Sequence, residues 1–269
     1  MICFPNAKIN LGLNIVSKRP DGFHNIETVF YPIPIKDALE VISAKVPSFN
    51  QTGIDIDTPA EKNLVTKALN LLMGKYALPQ MAVYIHKYIP FGAGLGGGSS
   101  DAANMLRLVN DYCQLNISDK ELEELASGIG ADCPFFIQNK PVFASGTGNI
   151  FESVDLSLSG FYLCLVKPNI TVSTSEAYSM VKPHYPFFSL KETITKPITE
   201  WKEIMQNDFE TSVFAKFPVI GSIKKSLYRE GAIYASMSGS GSSVYGLFEY
   251  PTDLKTKFNG CFVWSGQLP

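Results

Sequence analysis

The segment with the most evident chemical potential is the glycine-rich stretch at residues 90–103. Five glycines and two serines stand there between an apolar run and a helical pattern: Gly92, Gly94, Gly96, Gly97, Gly98, Ser99 and Ser100. Glycine reaches positive φ without strain and lets backbone N–H groups approach an anion, and a following helix N-terminus adds N–H donors and partial positive charge. The pattern predicts a phosphate-binding loop whose serine hydroxyls reach phosphate oxygens or a metal ion.

Two better-known phosphate loops do not fit this segment. The P-loop pattern ends in Gly-Lys-Ser/Thr, whereas Ser99 directly follows Gly98, so the phosphate-reaching lysine is missing. Residues 92–97 have the spacing of a dinucleotide fingerprint, but that fingerprint needs a second strand ending in an acidic residue about 20 positions on. Residues 116–126 instead have the pattern of a capped helix start. A glycine-rich turn without a ligand stays open as the alternative.

The elements that position this loop are predicted from hydrophobic periodicity. Residues 81–89 alternate as a strand that delivers the chain into the loop, and apolar residues between 102 and 109 continue as a helix behind it. Residues 9–16 and 39–46 alternate as half-buried strands, and residues 63–76 have helical spacing. The unit around the loop is therefore strand, anion loop and helix.

The rest of the chain carries further strand and helix signals. These are a capping box at 118–121, a strand at 161–166, a Pro-rich loop or linker at 182–197, helices at 201–205 and 219–230, and a Gly-Ser segment at 237–243 before a strand at 244–248. Strands and helices are interspersed without regular βαβ spacing, which predicts an α+β architecture in two lobes. We place the boundary near residue 155, which gives domains 1–155 and 156–269.

Composition narrows the class of partner and the compartment. The formal net charge is −2 and no run of Lys or Arg occurs, so a small molecule is favoured over nucleic acid or an anionic membrane surface. The five cysteines are scattered without C-x-x-C spacing, which favours a reduced cytoplasm over a disulfide framework or a zinc site. Neither a basic leader nor an apolar run of membrane-spanning length is apparent, so we expect a soluble, unexported protein.

Three more segments contain residue types suited to catalysis. They include Lys8-Ile-Asn10, Arg19-Pro-Asp-Gly-Phe-His24 and Gly130-Ala-Asp-Cys-Pro134. Together with the glycine loop and residues 237–243, they resemble the GHMP kinase superfamily, named for its galactose, homoserine, mevalonate and phosphomevalonate members. The resemblance is closer to the branch that phosphorylates a cytidyl-linked methylerythritol in the non-mevalonate route to isoprenoid precursors. The segments follow the family's order and are spread from residue 5 to about residue 248, so the resemblance covers nearly the whole chain.

The resemblance implies a two-lobed GHMP kinase fold, with an N-terminal ATP-binding lobe and a C-terminal substrate lobe of ferredoxin-like α/β arrangement. It implies transfer of the γ-phosphoryl group of ATP to the C2 hydroxyl of the cytidyl substrate. Lys8 and Asn10 match the substrate-hydroxyl side of the family site, and Asp132 matches its catalytic base. Phosphoryl transfer needs an acceptor for the hydroxyl proton and a cation opposite the spread negative charge, which suits Asp132 and Lys8. A structural ion pair between these two residues is the alternative.

The resemblance also implies the ATP site. Its implied contacts are Asn63, Pro90, Gly92, Gly94, Leu95, Gly96, Gly97, Gly98, Ser99 and Ser100. Asn63 can equally be interpreted as a helix N-cap. Magnesium is expected with ATP, and its ligand stays open. Asp101 follows the serines, but a first-turn acid favoured by the helix dipole is the preferred interpretation.

Phe23 and His24 match the place where this branch recognises cytosine, through hydrogen bonds of the histidine and stacking against Tyr178 from the other side. Taken alone, His24 is interpreted as a turn histidine and Tyr178 as a core aromatic. Residues 237–243 match the family's third glycine motif, with a helix-to-strand turn as the alternative. The rival functions are another kinase of the superfamily, acting on homoserine or mevalonate, and a catalytically silent protein that keeps the fold.

Overall fold

The computed structural model describes residues 1–55 and 59–269. The chain divides into two compact units, each built from separate stretches of sequence. The first unit contains Met1–Ala7, Ile35–Phe91 and Gly96–Lys140, and the second contains Lys8–Pro34, Gly92–Leu95 and Pro141–Pro269. A boundary between family domains at residue 155 stays a prediction.

The regular elements occur mostly in runs of strands and runs of helices along the chain. The strands are β1 (Ile2–Cys3), β2 (Asn6–Lys18), β3 (His24–Lys36), β4 (Ala38–Ser43), β5 (Ser48–Gly53), β6 (Met81–Lys87), β7 (Val142–Ser145), β8 (Ile150–Ser153), β9 (Tyr162–Lys167), β10 (Tyr234–Met237), β11 (Val244–Phe248) and β12 (Phe262–Gln267). The α-helices are α1 (Leu64–Met73), α2 (Gly97–Tyr112), α3 (Asp119–Ser127), α4 (Phe135–Gln138), α5 (Thr174–Ser179), α6 (Leu190–Thr193), α7 (Ile198–Ile204), α8 (Phe209–Lys216) and α9 (Pro218–Arg229). The predicted α+β architecture in two lobes is confirmed.

The first unit packs helices on a four-stranded sheet. Its strand order is β1-β4-β6-β5, with β5 parallel to β6 and the other neighbours antiparallel. Helix α2 packs on β1 and β4 and contacts α1, α3 and α4. Buried side chains that include Leu39, Val41, Val83 and Ile85 lie on these strands. The predicted strand before the glycine loop and the helix behind it are confirmed.

Side-chain caps fix two helix starts in this unit. Asn63 Oδ1 accepts the Val65 N–H at 2.9 Å at the start of α1. At α3, Ser118 Oγ accepts the Glu121 N–H at 3.3 Å, and Glu121 Oε2 accepts the Ser118 N–H at 3.0 Å. Each cap satisfies N–H groups that a helix start leaves without a partner. The predicted capping box and the N-cap interpretation of Asn63 are therefore confirmed.

The second unit contains two sheets. One has the order β2-β3-β7-β8, and the other has the antiparallel order β10-β11-β9-β12. Helix α9 packs on β10 and β11. Its residues Ile220 and Leu227 join a core that also contains Leu13 and Ile15 from β2 and Val244 from β11. The first strands of the sequence thus complete a core made mostly by its second half.

Strand β2 differs from the expected half-buried strand. Every residue from 7 to 15 is buried, so both faces of the strand are covered and the prediction of one solvent-facing side is wrong. Gly12 interrupts the strand with φ +65°, and a Cβ there would lie 2.6 Å from Leu190 Cδ2. The positive φ and the close packing both require glycine at this position. A glycine at positive φ within a strand changes which face the following side chains lie on.

Other expectations change in detail. Residues 237–243 connect β10 to β11 as an antiparallel hairpin, so the helix-to-strand turn is wrong. The Pro-rich stretch is irregular except for the short helix α6. Strand β3 and helices α5 and α8 had not been expected. Within residues 1–55 and 59–269, no helix is both long and apolar enough to cross a membrane.

Candidate active site

The glycine segment has the backbone conformation that its composition predicts. Gly92, Gly94 and Gly96 have φ values of +59°, +73° and +69°. A Cβ on Gly94 would lie 2.0 Å from the carbonyl oxygen of Ser238, so the backbone there comes too close for any side chain. The prediction that these glycines adopt positive φ is confirmed, and their approach to a phosphate stays a prediction.

Helix α2 begins directly after these turns. Gly96 is its N-cap and has no side chain with which to cap the helix. Among the first four residues of the helix, Gly98 is exposed, Gly97 and Ser99 are half-buried and Ser100 is fully buried. The N–H groups of the first turn and the positive end of the helix dipole suit an anion such as phosphate. Of the two serines, Ser99 offers the more accessible side chain.

Two neighbouring glycines allow the phosphate interpretation to be tested. A Cβ on Gly97 would lie 2.9 Å from Ile89 Cγ2, whereas one on Gly98 would meet only Leu64 Cδ1, at 3.8 Å. We expect Gly98→Val to keep the melting temperature of the unaltered protein. Its Kd for ATP should rise about tenfold, because the valine side chain would keep the phosphates from the N–H groups of the first turn and so remove hydrogen bonds to a charged group. Gly97→Val should instead lower the melting temperature. Calorimetry with ATP decides this, and an unchanged Kd for Gly98→Val would place the phosphates elsewhere.

In the second unit, Lys8 is held by neighbours on β2 and β3. Its side chain is only 4% exposed, and Nζ donates to Asn10 Oδ1 at 2.6 Å. Nζ also lies 4.7 Å from the centre of the Phe30 ring, within range of a cation–π interaction. An amide oxygen and an aromatic face thus hold the buried Lys8 amine, and both groups suit a protonated ammonium.

The same pair is connected to the glycine segment. The Lys8 N–H donates to the Leu95 carbonyl at 2.9 Å. Ser238 Oγ accepts the Asn10 N–H at 3.2 Å and donates to the Gly94 carbonyl at 2.7 Å. The structure therefore brings Lys8, Asn10, Gly94 and Leu95 together through their backbone groups and the hydroxyl of Ser238. Sequence reasoning had left Ser238 without a specific role, although it lies in the expected third glycine motif.

Buried Asn207 and half-buried Glu210 hold the hairpin that carries Ser238. Asn207 Nδ2 donates to the carbonyls of Met237 and Gly239, both at 2.8 Å. Glu210 Oε1 accepts the Met237 N–H at 2.8 Å. Isolated Asn and Glu residues in a sequence carry no signal for such a contact, because their partners lie about 30 positions away.

Asp132 lies in the first unit, in the turn before α4. The next residue, Cys133, is fully buried and its thiol is hydrogen bonded to the side chain of Ser99. Burial raises the pKa of the Cys133 thiol to about 11, so it is a neutral partner at pH 7. The turn that carries Asp132 is thereby attached to the first turn of α2. Because Lys8 belongs to the second unit, its pairing with Asp132 stays a prediction.

A buried ion cluster, absent from the sequence-based expectations, joins both ends of the glycine segment. Lys87 Nζ, at the end of β6, contacts the carboxylates of Asp37 and Asp101. The other oxygen of Asp37 accepts the N–H groups of Tyr88 at 2.6 Å and Ile89 at 2.8 Å. Asp101 lies beyond the first turn of α2, so its interpretation as a first-turn acid is wrong. Its partner is a lysine on a neighbouring strand, and only the fold brings the two together.

The cluster favours binding of a proton. Burial raises the pKa of Asp101 to about 8, an effect that Lys87 opposes and Asp37 strengthens. Burial lowers the pKa of Lys87, but the two carboxylates outweigh it and the net shift is upward. Both directions mean that the folded protein binds a proton here more tightly than the unfolded chain does. The stability contributed by Asp101 is complete below its ordinary pKa of about 4 and is lost as the pH rises towards 8.

The pH dependence of stability should therefore change in Asp101→Asn. We expect the melting temperature of the unaltered protein to fall more between about pH 5 and about pH 8 than that of the variant, which has no proton to lose. Asp111→Asn changes an exposed carboxylate on the same helix and serves as the control. Equal falls in Asp101→Asn and the unaltered protein would show that Asp101 is ionised throughout.

Two of the residues expected to bind cytosine, His24 and Tyr178, are also brought together. The rings of His24 and Tyr178 stack with centroids 4.8 Å apart and an interplanar angle of 16°, and Phe209 packs edge-on against Tyr178. Burial lowers the pKa of His24, helped by the charge of Lys18. No base fits between His24 and Tyr178 at this spacing, because stacked atoms need about 3.5 Å on each side. Stacking of cytosine between Phe23 and Tyr178 stays a prediction.

Comparisons with known proteins agree with this arrangement. Family models for the GHMP kinases N terminal domain and the GHMP kinases C terminal match residues 63–140 and 189–259. Curated proteins named 4-diphosphocytidyl-2-C-methyl-D-erythritol kinase are similar over the whole of both chains. That of Parabacteroides distasonis is 66% identical over 270 residues, and that of Bacteroides fragilis is 57% identical over 274 residues.

Solved structures give the same result. A crystal structure of 4-(cytidine 5'-diphospho)-2C-methyl-D-erythritol kinase is 28% identical and has a TM-score of 0.83 over 98% of both chains. A mevalonate kinase structure has a TM-score of 0.71 at 12% identity, covering 100% of this chain and 99% of the other, and this likeness concerns the fold alone. Because both domain models match and curated relatives are similar over its full length, this chain belongs to the GHMP kinase family.

Proposed function

We propose that this protein transfers the γ-phosphoryl group of ATP to the C2 hydroxyl of 4-diphosphocytidyl-2-C-methyl-D-erythritol, in the non-mevalonate route to isoprenoid precursors. The identity of 66% over the full length of a curated relative of that name carries the proposal. The buried Lys8–Asn10 pair, hydrogen bonded through backbone groups to the glycine segment, supports it.

Each part of the site has a role in the transfer. The turns at Gly92, Gly94 and Gly96 and the start of α2 surround the triphosphate, and Asn63 and Ser99 add side-chain contacts. The Asp132 carboxylate takes the proton of the substrate hydroxyl, and the oxygen of that hydroxyl attacks the γ-phosphorus. The bond from that phosphorus to the bridging oxygen breaks, and ADP leaves. The protein supplies position and charge stabilisation rather than covalent chemistry.

Lys8 supplies the cation of this reaction. Its ammonium, fixed on Asn10 Oδ1, faces the charge that spreads over the transferring phosphoryl group and polarises the acceptor oxygen. An ammonium also favours the ionised form of the base. A purely structural ion pair between Lys8 and Asp132 makes a different prediction, since its loss would lower stability and leave turnover intact.

Magnesium accompanies ATP in kinases, but the described residues give it no protein cage. No group of three or more His, Cys, Asp or Glu side chains that could hold a metal occurs among them. The Asp101 carboxylate, the acidic group next to the serines, is bound to Lys87. A magnesium ion would take its ligands mainly from phosphate oxygens and water, as this hard cation commonly does. No step is derived from it.

The cytidyl group is recognised by Phe23, His24 and Tyr178 in this proposal. Phe23 is exposed, His24 has ring nitrogens for hydrogen bonds, and the Tyr178 ring is stacked against His24. In His24→Ala, loss of the hydrogen bonds from the His24 ring to the base should raise KM for the cytidyl substrate and lower kcat/KM about ten- to a hundredfold. KM for ATP should stay unchanged. His86→Ala, on an exposed strand position, is the matched control.

One assay tests the function as a whole. ADP release is measured with the cytidyl substrate, methylerythritol phosphate, mevalonate and homoserine. We expect turnover with the first and poor turnover with the others, because binding of the remote base positions the hydroxyl. Equal kcat/KM with and without the cytidyl group would leave a GHMP-type kinase with another substrate. The cytoplasm is the expected location of this reaction.

A further inference from the structure

A chain of buried side chains leads from Lys8 to the backbone of β2. Lys8 Nζ donates to Asn10 Oδ1 at 2.6 Å, Asn10 Nδ2 donates to Thr28 Oγ1 at 3.0 Å, and Thr28 Oγ1 donates to the Gly12 carbonyl at 2.6 Å. The exposed fractions of Lys8, Asn10 and Thr28 are 4%, 2% and 0%. At this depth water cannot replace a lost partner, so each bond depends on the next.

The groups at the two ends of this series of hydrogen bonds each have only one possible role. An ammonium can only donate, and a backbone carbonyl can only accept. The single proton of the Thr28 hydroxyl is therefore committed to Gly12, and its oxygen must accept. Asn10 must then present its NH₂ to Thr28 and its oxygen to Lys8. Lys8 and Thr28 thus require the same orientation of the Asn10 amide, and Thr28 holds its NH₂ end.

We propose that Thr28 is a positioning residue for phosphoryl transfer, acting on the Lys8 ammonium through the Asn10 amide. The proposal rests on the function given above. Thr28 lies on β3, and Asn10 on the neighbouring strand β2, so the sheet holds the two at a fixed distance. Without the hydroxyl, the NH₂ group of Asn10 loses its acceptor, so the amide that holds Lys8 is anchored at its oxygen end only. The lysine then loses its fixed place opposite the transferring group.

Thr28→Val and Thr28→Ser separate position from packing. Valine keeps the shape of threonine but removes the hydroxyl, and serine restores the hydroxyl without the methyl group. We expect Thr28→Val to lower kcat about tenfold with KM for ATP within about twofold, and Thr28→Ser to recover most of the loss. Thr193→Val is the matched control, because Thr193 is 2% exposed and donates to the Ser189 carbonyl at 2.9 Å. It should lose stability without losing kcat.

A double-mutant cycle identifies the route of the effect. If Thr28 acts through Asn10, Thr28→Val should cost little additional kcat in an Asn10→Ala background. Costs that multiply would overturn the proposal, because they would mean that Thr28 acts independently of the amide. Failure of Thr28→Ser to recover activity at normal stability would overturn it too.

A measurement on the protein without substrate keeps this inference distinct from the proposed function. The side-chain NH₂ signals of Asn10, assigned by their loss in Asn10→Asp, should exchange slowly with solvent in the unaltered protein and in Thr28→Ser. They should exchange faster or shift in Thr28→Val. Unchanged signals would overturn the inference even if the protein phosphorylates the cytidyl substrate. Changed signals in a protein that does not act on that substrate would reject only the proposed function.

Discussion

Asp132→Asn should retain ATP binding and lose most of its turnover. The amide has the shape of the carboxylate but cannot take the hydroxyl proton, and removal of a general base typically costs about 10²- to 10⁴-fold in kcat. The turn itself should persist in the variant, because the hydrogen bond between Cys133 and Ser99 holds it and does not involve the Asp132 carboxyl group. Single-turnover phosphorylation and calorimetric titration with ATP measure the two properties separately.

The control for this variant is Asp111→Asn, an exposed position in the same unit. It should match the unaltered protein in both measurements. If Asp132→Asn kept more than about a tenth of the original kcat, the residue would not be the base, since such effects are far larger. A variant that instead unfolded early would favour the structural ion-pair interpretation.

Lys8→Met should lower kcat by about 10²- to 10³-fold, the usual size for loss of a preorganised charge that faces the transition state. Methionine retains much of the apolar length of lysine and can pack on Phe30, so the fold should survive. The backbone N–H of residue 8 would still donate to the Leu95 carbonyl. KM for ATP should change much less than kcat, because the glycine segment binds most of the triphosphate.

Lys36→Met is the matched control, since Lys36 is exposed near the end of β3. Turnover of each variant is measured at its own saturating substrate concentration, so that the comparison reports kcat alone. A loss of melting temperature in Lys8→Met with kcat preserved would show that the lysine stabilises the fold only.

The sequence predicts best the features that depend on a few adjacent residues. The positive φ angles at Gly92, Gly94 and Gly96 follow from composition, and the capping box at α3 follows from the spacing of Ser118 and Glu121. The capping box satisfies its own backbone groups locally, and glycine reaches positive φ without strain, so spacing and composition are enough to predict both features.

Long-range partners are what the sequence does not predict. Lys87 ends the strand β6, and nothing in the sequence around it indicates that it contacts Asp37 or Asp101. Thr28 lies on a strand that was not anticipated, and only the pairing of β3 with β2 places it beside Asn10. Covering of β2 on both faces likewise arises from segments far along the chain. The family resemblance identifies Lys8 and Asn10 as site residues but does not identify what holds them.

The hydrogen bonds of Asn10 have a consequence for synthesis of the chain. Its N–H meets Ser238, 228 positions later, and its carbonyl accepts from Tyr245, 235 positions later. The strand with Lys8 and Asn10 leaves the ribosome first, yet these partners are translated near the end. Contacts so remote in sequence close late and slow folding, which leaves the strand exposed to chaperones during translation. A chain that terminates before Ser238 lacks the residue that joins Asn10 to the glycine segment, so premature termination yields no partly active kinase.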